Sequence, residues 1–227
     1  MLEERSKKIE NKLFQIVSGK KSYQNHPSII IPEKLSVIDP EILLVNPAAY
    51  SVLELGAGSG EFAHSWMLLN PGHNYIAFEV KKERIQAILK GIDRSKLYSI
   101  KIIPVNFKWF LTEILPSNIF DMIIVNFPDP WPKKRHWKHR LVDTEFPIKT
   151  AGLLKAGGII HLATDYGPYA RKILSIFRKS NLFEQVFPHP DYTRQKPDEF
   201  PSTRFEKIHI LDGKRSYYQQ WRLIDGK

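Results

Sequence analysis

The sequence predicts an α/β fold, a doubly wound and mostly parallel sheet of seven strands. Three observations predict it. From Ser51 onward, short β-branched runs alternate with longer stretches whose apolar residues recur at helical spacing. Turn residues bound each short run, as expected of strands buried on both faces. The first run passes directly into a glycine-rich turn and then a helix. At 227 residues the chain suits one domain with one large core, so a single domain over 1–227 is expected. Its residues 1–45 would be an N-terminal arm. That stretch carries scattered charge and is punctuated by Pro27, Pro32 and Pro40, with Pro47 just beyond, and it is expected to be irregular apart from a short helix over 3–17.

The elements follow in order. Residues 52–55 are the first expected strand, with a helix over 61–69. Strand 75–78 is followed by helix 82–91, and strand 100–105 by helix 108–115. The run 122–125 gives a fourth strand, and helix 143–154 leads to a fifth at 159–163. Helix 169–179 comes next, then two further strand candidates at 184–187 and 216–223. Residues 205–211 are compatible with a strand or a short helix. Alternation of this kind favours right-handed crossovers.

Composition narrows the function classes. Lys and Arg number 34 against 24 Asp and Glu, a net charge of +10 with a pI near 9.6. Such a surplus favours a polyanionic partner, either nucleic acid or an anionic membrane surface. There is no cysteine, which excludes disulfides, thiolate nucleophiles and Cys-ligated zinc. The charged N-terminus is no signal peptide, and the longest apolar runs fall far short of the ~20 residues of a membrane helix, so a cytoplasmic protein is expected.

In a doubly wound sheet, ligands sit at the carboxyl ends of the strands. Here the first strand runs into Gly56-Ala57-Gly58-Ser59-Gly60. Gly56 and Gly58 let the backbone turn sharply and leave bare main chain for a ligand beside helix N–H groups. Glu54 lies just before the turn. Glu79 ends the second strand, 19 residues beyond Gly60, where an acid can accept the hydroxyls of an adenosine ribose. That geometry serves NAD and S-adenosylmethionine alike. The third glycine comes one residue too early for the dinucleotide fingerprint, however, and an acid before the turn suits a cationic sulfonium better than a pyrophosphate. The balance favours S-adenosylmethionine.

The most informative stretch follows the fourth strand. Asp129 stands between Pro128 and Pro130, each of which fixes its own φ and restricts its predecessor, so the carboxylate sits on a stiff loop. Residues 133–140 then hold five Lys or Arg and two His around Trp137. Cations interleaved with an aromatic suit phosphate contacts plus a stacked base, the requirements of RNA binding. His136 and His139 have a spacing compatible with one helical face, but no Cys or second acid cluster accompanies them, and a metal role is set aside. His161, inside a strand, reads as a core or edge residue.

The stretch Pro128-Asp129-Pro130-Trp131-Pro132-Lys133-Lys134-Arg135-His136, with Lys138, Arg140 and Leu141, closely resembles the signature of the bacterial tRNA (guanine-N7)-methyltransferases. Asn70-Pro71, Ala163-Thr164-Asp165 and Thr203-Arg204-Phe205-Glu206 fall in the order that family shows, so the resemblance runs from about Ser51 to the C-terminus. It implies the class I S-adenosylmethionine-dependent methyltransferase fold. It also implies S-adenosylmethionine as methyl donor, contacted by Glu54, Glu79, Asn106 and Asp129, with Asp129 catalytic as well. Lys133, Asp165, Thr203, Arg204, Phe205 and Glu206 would contact tRNA, and the target would be a guanosine of the variable loop, guanosine 46. No metal, membrane or obligate protein partner is implied. The chain departs from the family at Ser59, where a basic residue is usual, and at Asn106, where Asp is common; an amide can still hydrogen-bond an adenine edge. Rival readings are an exocyclic-amine methyltransferase, whose Asn/Asp-Pro-Pro-aromatic loop is broken here by Phe127 and Asp129, an NAD-linked oxidoreductase, and a non-catalytic RNA-binding module.

Overall fold

The computed structural model describes residues 25–32, 34–213 and 215–225, so the helix expected over 3–17 lies outside the described residues. The strands form a seven-stranded sheet in the order β3-β2-β1-β4-β5-β7-β6, the doubly wound and mostly parallel arrangement expected. The chain divides into two compact units, Met1–Ser117 and Asn118–Lys227.

In the first unit, β1 (Ser51–Leu55), β2 (Asn74–Phe78) and β3 (Ile100–Ile103) run parallel, with Glu54 beside Ala77 and Leu55 beside Phe78. Every residue of β1 and β2 is buried, which is why these strands are largely apolar on both faces rather than alternating, with Ser51, Glu54 and Asn74 the buried polar exceptions. Among the described residues, the unit's helices are α1 (Pro40–Leu43), α2 (Glu61–Leu69), α3 (Lys82–Ser95) and α4 (Phe107–Ile114). Helix α3 buries Ile85, Ile88, Leu89 and Ile92 along one stripe and ends where Lys96 turns left-handed. Over residues 25–32 and 34–45 the chain is mostly without regular structure apart from α1, and part of it packs on β3. Ile29 bridges Ile102 in parallel, Ile30 N–H donates to Ile102 O at 2.9 Å, and Ile102 N–H donates to Ser28 O at 2.7 Å. Ile38, Leu43 and Leu44 are buried beside it.

In the second unit, β4 (Phe120–Asn126) and β5 (Leu154–Thr164) are parallel, β7 (Tyr217–Leu223) is antiparallel to β5, and β6 (Phe183–Gln185) is antiparallel to β7. The helices are α5 (Phe146–Ala151), α6 (Gly167–Ser180) and α7 (Arg204–Leu211). Phe177 of α6 stacks on Trp221 of β7 at 5.0 Å and meets the Phe183 edge at 5.3 Å. The helix expected over 143–154 is shorter because Leu154 opens β5 instead. Phe120 faces Leu154 but Met122 faces Ile159, so the intervening residues of β5 bulge out around Gly157, whose φ is +70°. The undecided stretch 205–211 is helical. Among the described residues no helix is long and apolar enough to cross a membrane.

His161 is a core residue of β5. Its ring stacks on Phe200 at 3.9 Å, and Gln220 Nε2 lies 3.4 Å from its Nδ1. Burial, helped by the charge of Lys196, pushes its pKa down to about 3. A histidine held neutral in the fold stabilises it fully above the unfolded value near 6.5 and loses that contribution as pH falls toward 3. His161→Gln should therefore flatten the loss of stability between those two values, measured as urea midpoint against pH; an unchanged acid limb would show that other groups set it.

Candidate active site

The glycine turn is built from the ends of β1 and β2. Gly56 and Ala57 N–H groups both donate to Phe78 O at 3.0 Å, so the chain leaves β1 still tied to its neighbour. Gly56, Gly58 and Gly60 all have positive φ (89°, 59° and 82°). Gly60 begins α2, and a Cβ there would come 2.8 Å from Ile88 Cγ1, so only glycine serves both the turn and the packing against α3.

Glu79 locks this turn. One carboxylate oxygen accepts from Gly58 N–H at 2.9 Å, and the other accepts from Val80 and Lys81 N–H at 2.8 and 2.9 Å. Arg84 Nη1 stands 3.6 Å from the first oxygen. The predicted acid is thus where the sequence puts it, and it shapes the loop as well as facing it. Glu54 is also buried, and Tyr75 of β2 donates to its Oε2 at 2.9 Å. Burial first, and then the Glu54 charge, raise the Tyr75 hydroxyl well above its usual range, so it stays a donor. This partner was not recognisable beforehand, because Tyr75 reads as one more strand hydrophobe. Asn106 caps α4, its Oδ1 accepting from Lys108 N–H at 3.0 Å. The next residue, Phe107, meets Phe78 edge-on at 6.0 Å. The structure therefore gathers Glu54, Gly56, Gly58 and Glu79 about one turn, with Asn106 at the head of α4.

In the second unit, Asp129 is exposed on the loop leaving β4, and among the described residues nothing hydrogen-bonds or pairs with its carboxylate. The loop is bracketed by two aromatics in the left-handed region, Phe127 at φ +49° and Trp131 at φ +42°. Such conformations cost on the order of 1–3 kcal/mol each and persist only where surroundings enforce them. Residues Lys134–His139 form a 3-10 turn. Its His136 and His139 lie against Trp131 at 5.6 and 5.3 Å. Lys133, Lys134, Arg135 and Lys138 are exposed, as is Trp137. Arg140 alone of the five cations is buried, donating from Nε to Pro130 O at 2.8 Å and from Nη2 to Trp131 O at 3.3 Å. Asp165 follows β5 directly, half-buried.

The Thr203–Glu206 stretch has an internal logic that sequence reasoning missed. Thr203 Oγ1 accepts from Glu206 N–H at 3.0 Å, and Glu206 Oε2 accepts from Thr203 N–H at 3.2 Å. This is a capping box, and the T-x-x-E spacing announces it. Glu206 is buried and also accepts from the Tyr218 hydroxyl, which burial and that contact push upward from its usual pKa. Between the two capping residues, Arg204 opens α7 and Phe205 sets its ring 5.0 Å from Phe127, bringing this stretch to the Asp129 loop.

The family model Methyltransf_4, described as "Putative methyltransferase", matches residues 48–218. The tRNA (guanine-N(7)-)-methyltransferase of Leptospira interrogans (serovar copenhageni, strain Fiocruz L1-130) is 39% identical over 210 residues, 92% of this chain and 94% of that one. The chain belongs to the tRNA (guanine-N(7)-)-methyltransferase family. The family member from Nitrosomonas europaea is 37% identical over 159 residues, 70% of each chain. Among solved structures, one described as an antibiotic related methyltransferase aligns with a TM-score of 0.55 at 18% identity, over 83% of this chain and 96% of that chain, and shows the shared fold.

The capping box separates a structural from a ligand role for Thr203. Thr203→Ala should cost about 1 kcal/mol of stability in denaturant titration, and Thr203→Ser should restore it; equal stability in all three would leave Thr203 to ligand contact alone.

Proposed function

We propose that the chain transfers a methyl group from S-adenosylmethionine to N7 of a guanine in tRNA, with guanosine 46 of the variable loop as its target. The observation that carries the reading is the Asp129 carboxylate, exposed on a proline-stiffened loop, without a partner among the described residues and followed by exposed cations and aromatics. Family membership supports the same chemistry. We take residues 1–227 as one methyltransferase domain, with 1–45 its N-terminal arm, working in the cytoplasm where tRNA is found.

The residues of the glycine turn fit the methyl donor. Gly56 and Gly58 offer main chain without side chains. Glu79 has three of its roughly four acceptor positions filled by main-chain N–H groups, which leaves one for a ribose hydroxyl. Asn106 commits its Oδ1 to the helix cap, and its NH2 is the group it can offer to an adenine nitrogen. Glu54, held by Tyr75, supplies negative charge toward a cationic ligand. Bound S-adenosylmethionine supplies an electrophilic methyl on a sulfonium.

Guanine N7 has a lone pair and no proton, so the chain needs no general base before attack. Its task is to hold the base in line with the methyl, which is catalysis by orientation. As N7 is methylated the purine becomes cationic, and Asp129 stabilises that developing charge or holds the base edge. Lys133 and the cations after it receive phosphates, with Asp165 and the Thr203, Arg204, Phe205 and Glu206 segment completing the tRNA contact.

Methylation of bulk tRNA with labelled cofactor, followed by mapping of the modified position, tests the reading directly; label anywhere but N7 of a guanine would overturn it. Asp129→Ala should lower kcat by about 100-fold or more with little change in cofactor affinity, whereas equal losses in both would confine Asp129 to cofactor binding. Lys133→Ala should weaken tRNA binding and reduce the slope of log K against log salt by about one; tRNA affinity unchanged by the substitution would remove Lys133 from the contact.

A further inference from the structure

We propose that Arg140 is a positioning residue whose guanidinium fixes the path of the Asp129 loop and so the direction in which its carboxylate points. The proposal deepens the reading of Asp129 given above and rests on it.

The argument begins with donors and acceptors. Residues 127–132 read Phe-Pro-Asp-Pro-Trp-Pro, so three of six positions lack a main-chain N–H while every carbonyl remains. A loop of this kind cannot satisfy its own acceptors with turns. Arginine is the complementary group, with five donors in a planar fork and no acceptor. Arg140 is 5% exposed and spends two of those donors on consecutive carbonyls, Pro130 O and Trp131 O, immediately after Asp129. Its plane is held in turn, with its carbon 4.7 Å from the Trp137 ring and 4.8 Å from the Tyr169 ring. Tyr169 is fully buried on α6, and its hydroxyl accepts from Val142 N–H at 3.0 Å. An unbroken line of contacts therefore runs from a core helix through Tyr169 and Arg140 to the residues beside Asp129. Both carbonyls flank the point where Trp131 is held at positive φ, a conformation that needs such enforcement. The other four cations of the run are exposed and suited to phosphate.

The test compares Arg140→Ala, Arg140→Lys and Asp129→Ala in methylation of a tRNA transcript and in hydrogen exchange of the amides of residues 127–139. Arg140→Ala should lose about 100-fold in kcat, with KM for S-adenosylmethionine and for tRNA within about threefold, and its loop amides should exchange faster. Arg140→Lys should recover little, because an ammonium cannot bridge two carbonyls while stacked between rings. Added guanidinium ion should restore part of kcat to Arg140→Ala and none to Asp129→Ala. A kcat loss with loop exchange unchanged would overturn the proposal, as would a raised KM for tRNA with a shallower salt dependence, the mark of a phosphate contact. If Arg140→Ala does not fold, Arg140→Lys carries the same comparison. Should Asp129→Ala keep its activity while Arg140→Ala loosens the loop, the role of Asp129 fails and the hold of Arg140 on the loop stands.

Discussion

A buried guanidinium bonded to two main-chain carbonyls is the contact on which the Asp129 loop depends. Proline stiffens that loop but strips it of donors, so rigidity alone would leave its carbonyls unsatisfied. The glycine turn presents the mirror problem. There the main chain has N–H groups to spare, and Glu79 accepts three of them. One unit thus solves an excess of donors with an acid and the other an excess of acceptors with a cation. In each, a charged side chain that sequence reading assigns to ligand contact is first a part of the backbone.

Much of the fold was legible because buried parallel strands leave a plain mark. Val52 to Leu55 is apolar but for Glu54, Tyr75 to Phe78 is apolar throughout, neither alternates, and the stripe of Ile85, Ile88, Leu89 and Ile92 names the inner face of its helix. At the start of β5 two patterns overlap. Leu153 and Leu154 continue the helical spacing of Phe146 and Thr150, yet Leu154 begins β5, because a bulge around Gly157 lets the strand start early. Spacing along the chain carries no trace of a register shift in its partner.

The site was legible in a similar measure. Asp129 on the loop after β4, Glu79 just after β2 and the glycines between β1 and α2 hold the places in the fold that the sequence suggests, because each is fixed by its local neighbours. Tyr75 under Glu54 was not, since an aromatic in a strand looks the same whether or not its hydroxyl meets an acid. Nor could composition reveal which of five cations turns inward, because inward orientation is set by Tyr169, 29 positions away in sequence from Arg140. Thr203 and Glu206 show the opposite case. Their capping spacing is present in the sequence itself, T-x-x-E ahead of a helix.

The packing of Ser28, Ile29 and Ile30 against Ile102 has a practical meaning. β3 ends the sheet, and its outer hydrogen-bonding groups would otherwise be an open template for another chain. The N-terminal segment occupies that template before a stranger can. A protein shortened at its N-terminus to begin at residue 48, where the family model's match begins, would keep every proposed catalytic group and β7 and yet leave the outer edge of β3 uncovered. Main-chain groups of Ser28 and Ile30 do the covering, a capping of the sheet border that lies outside the chemistry.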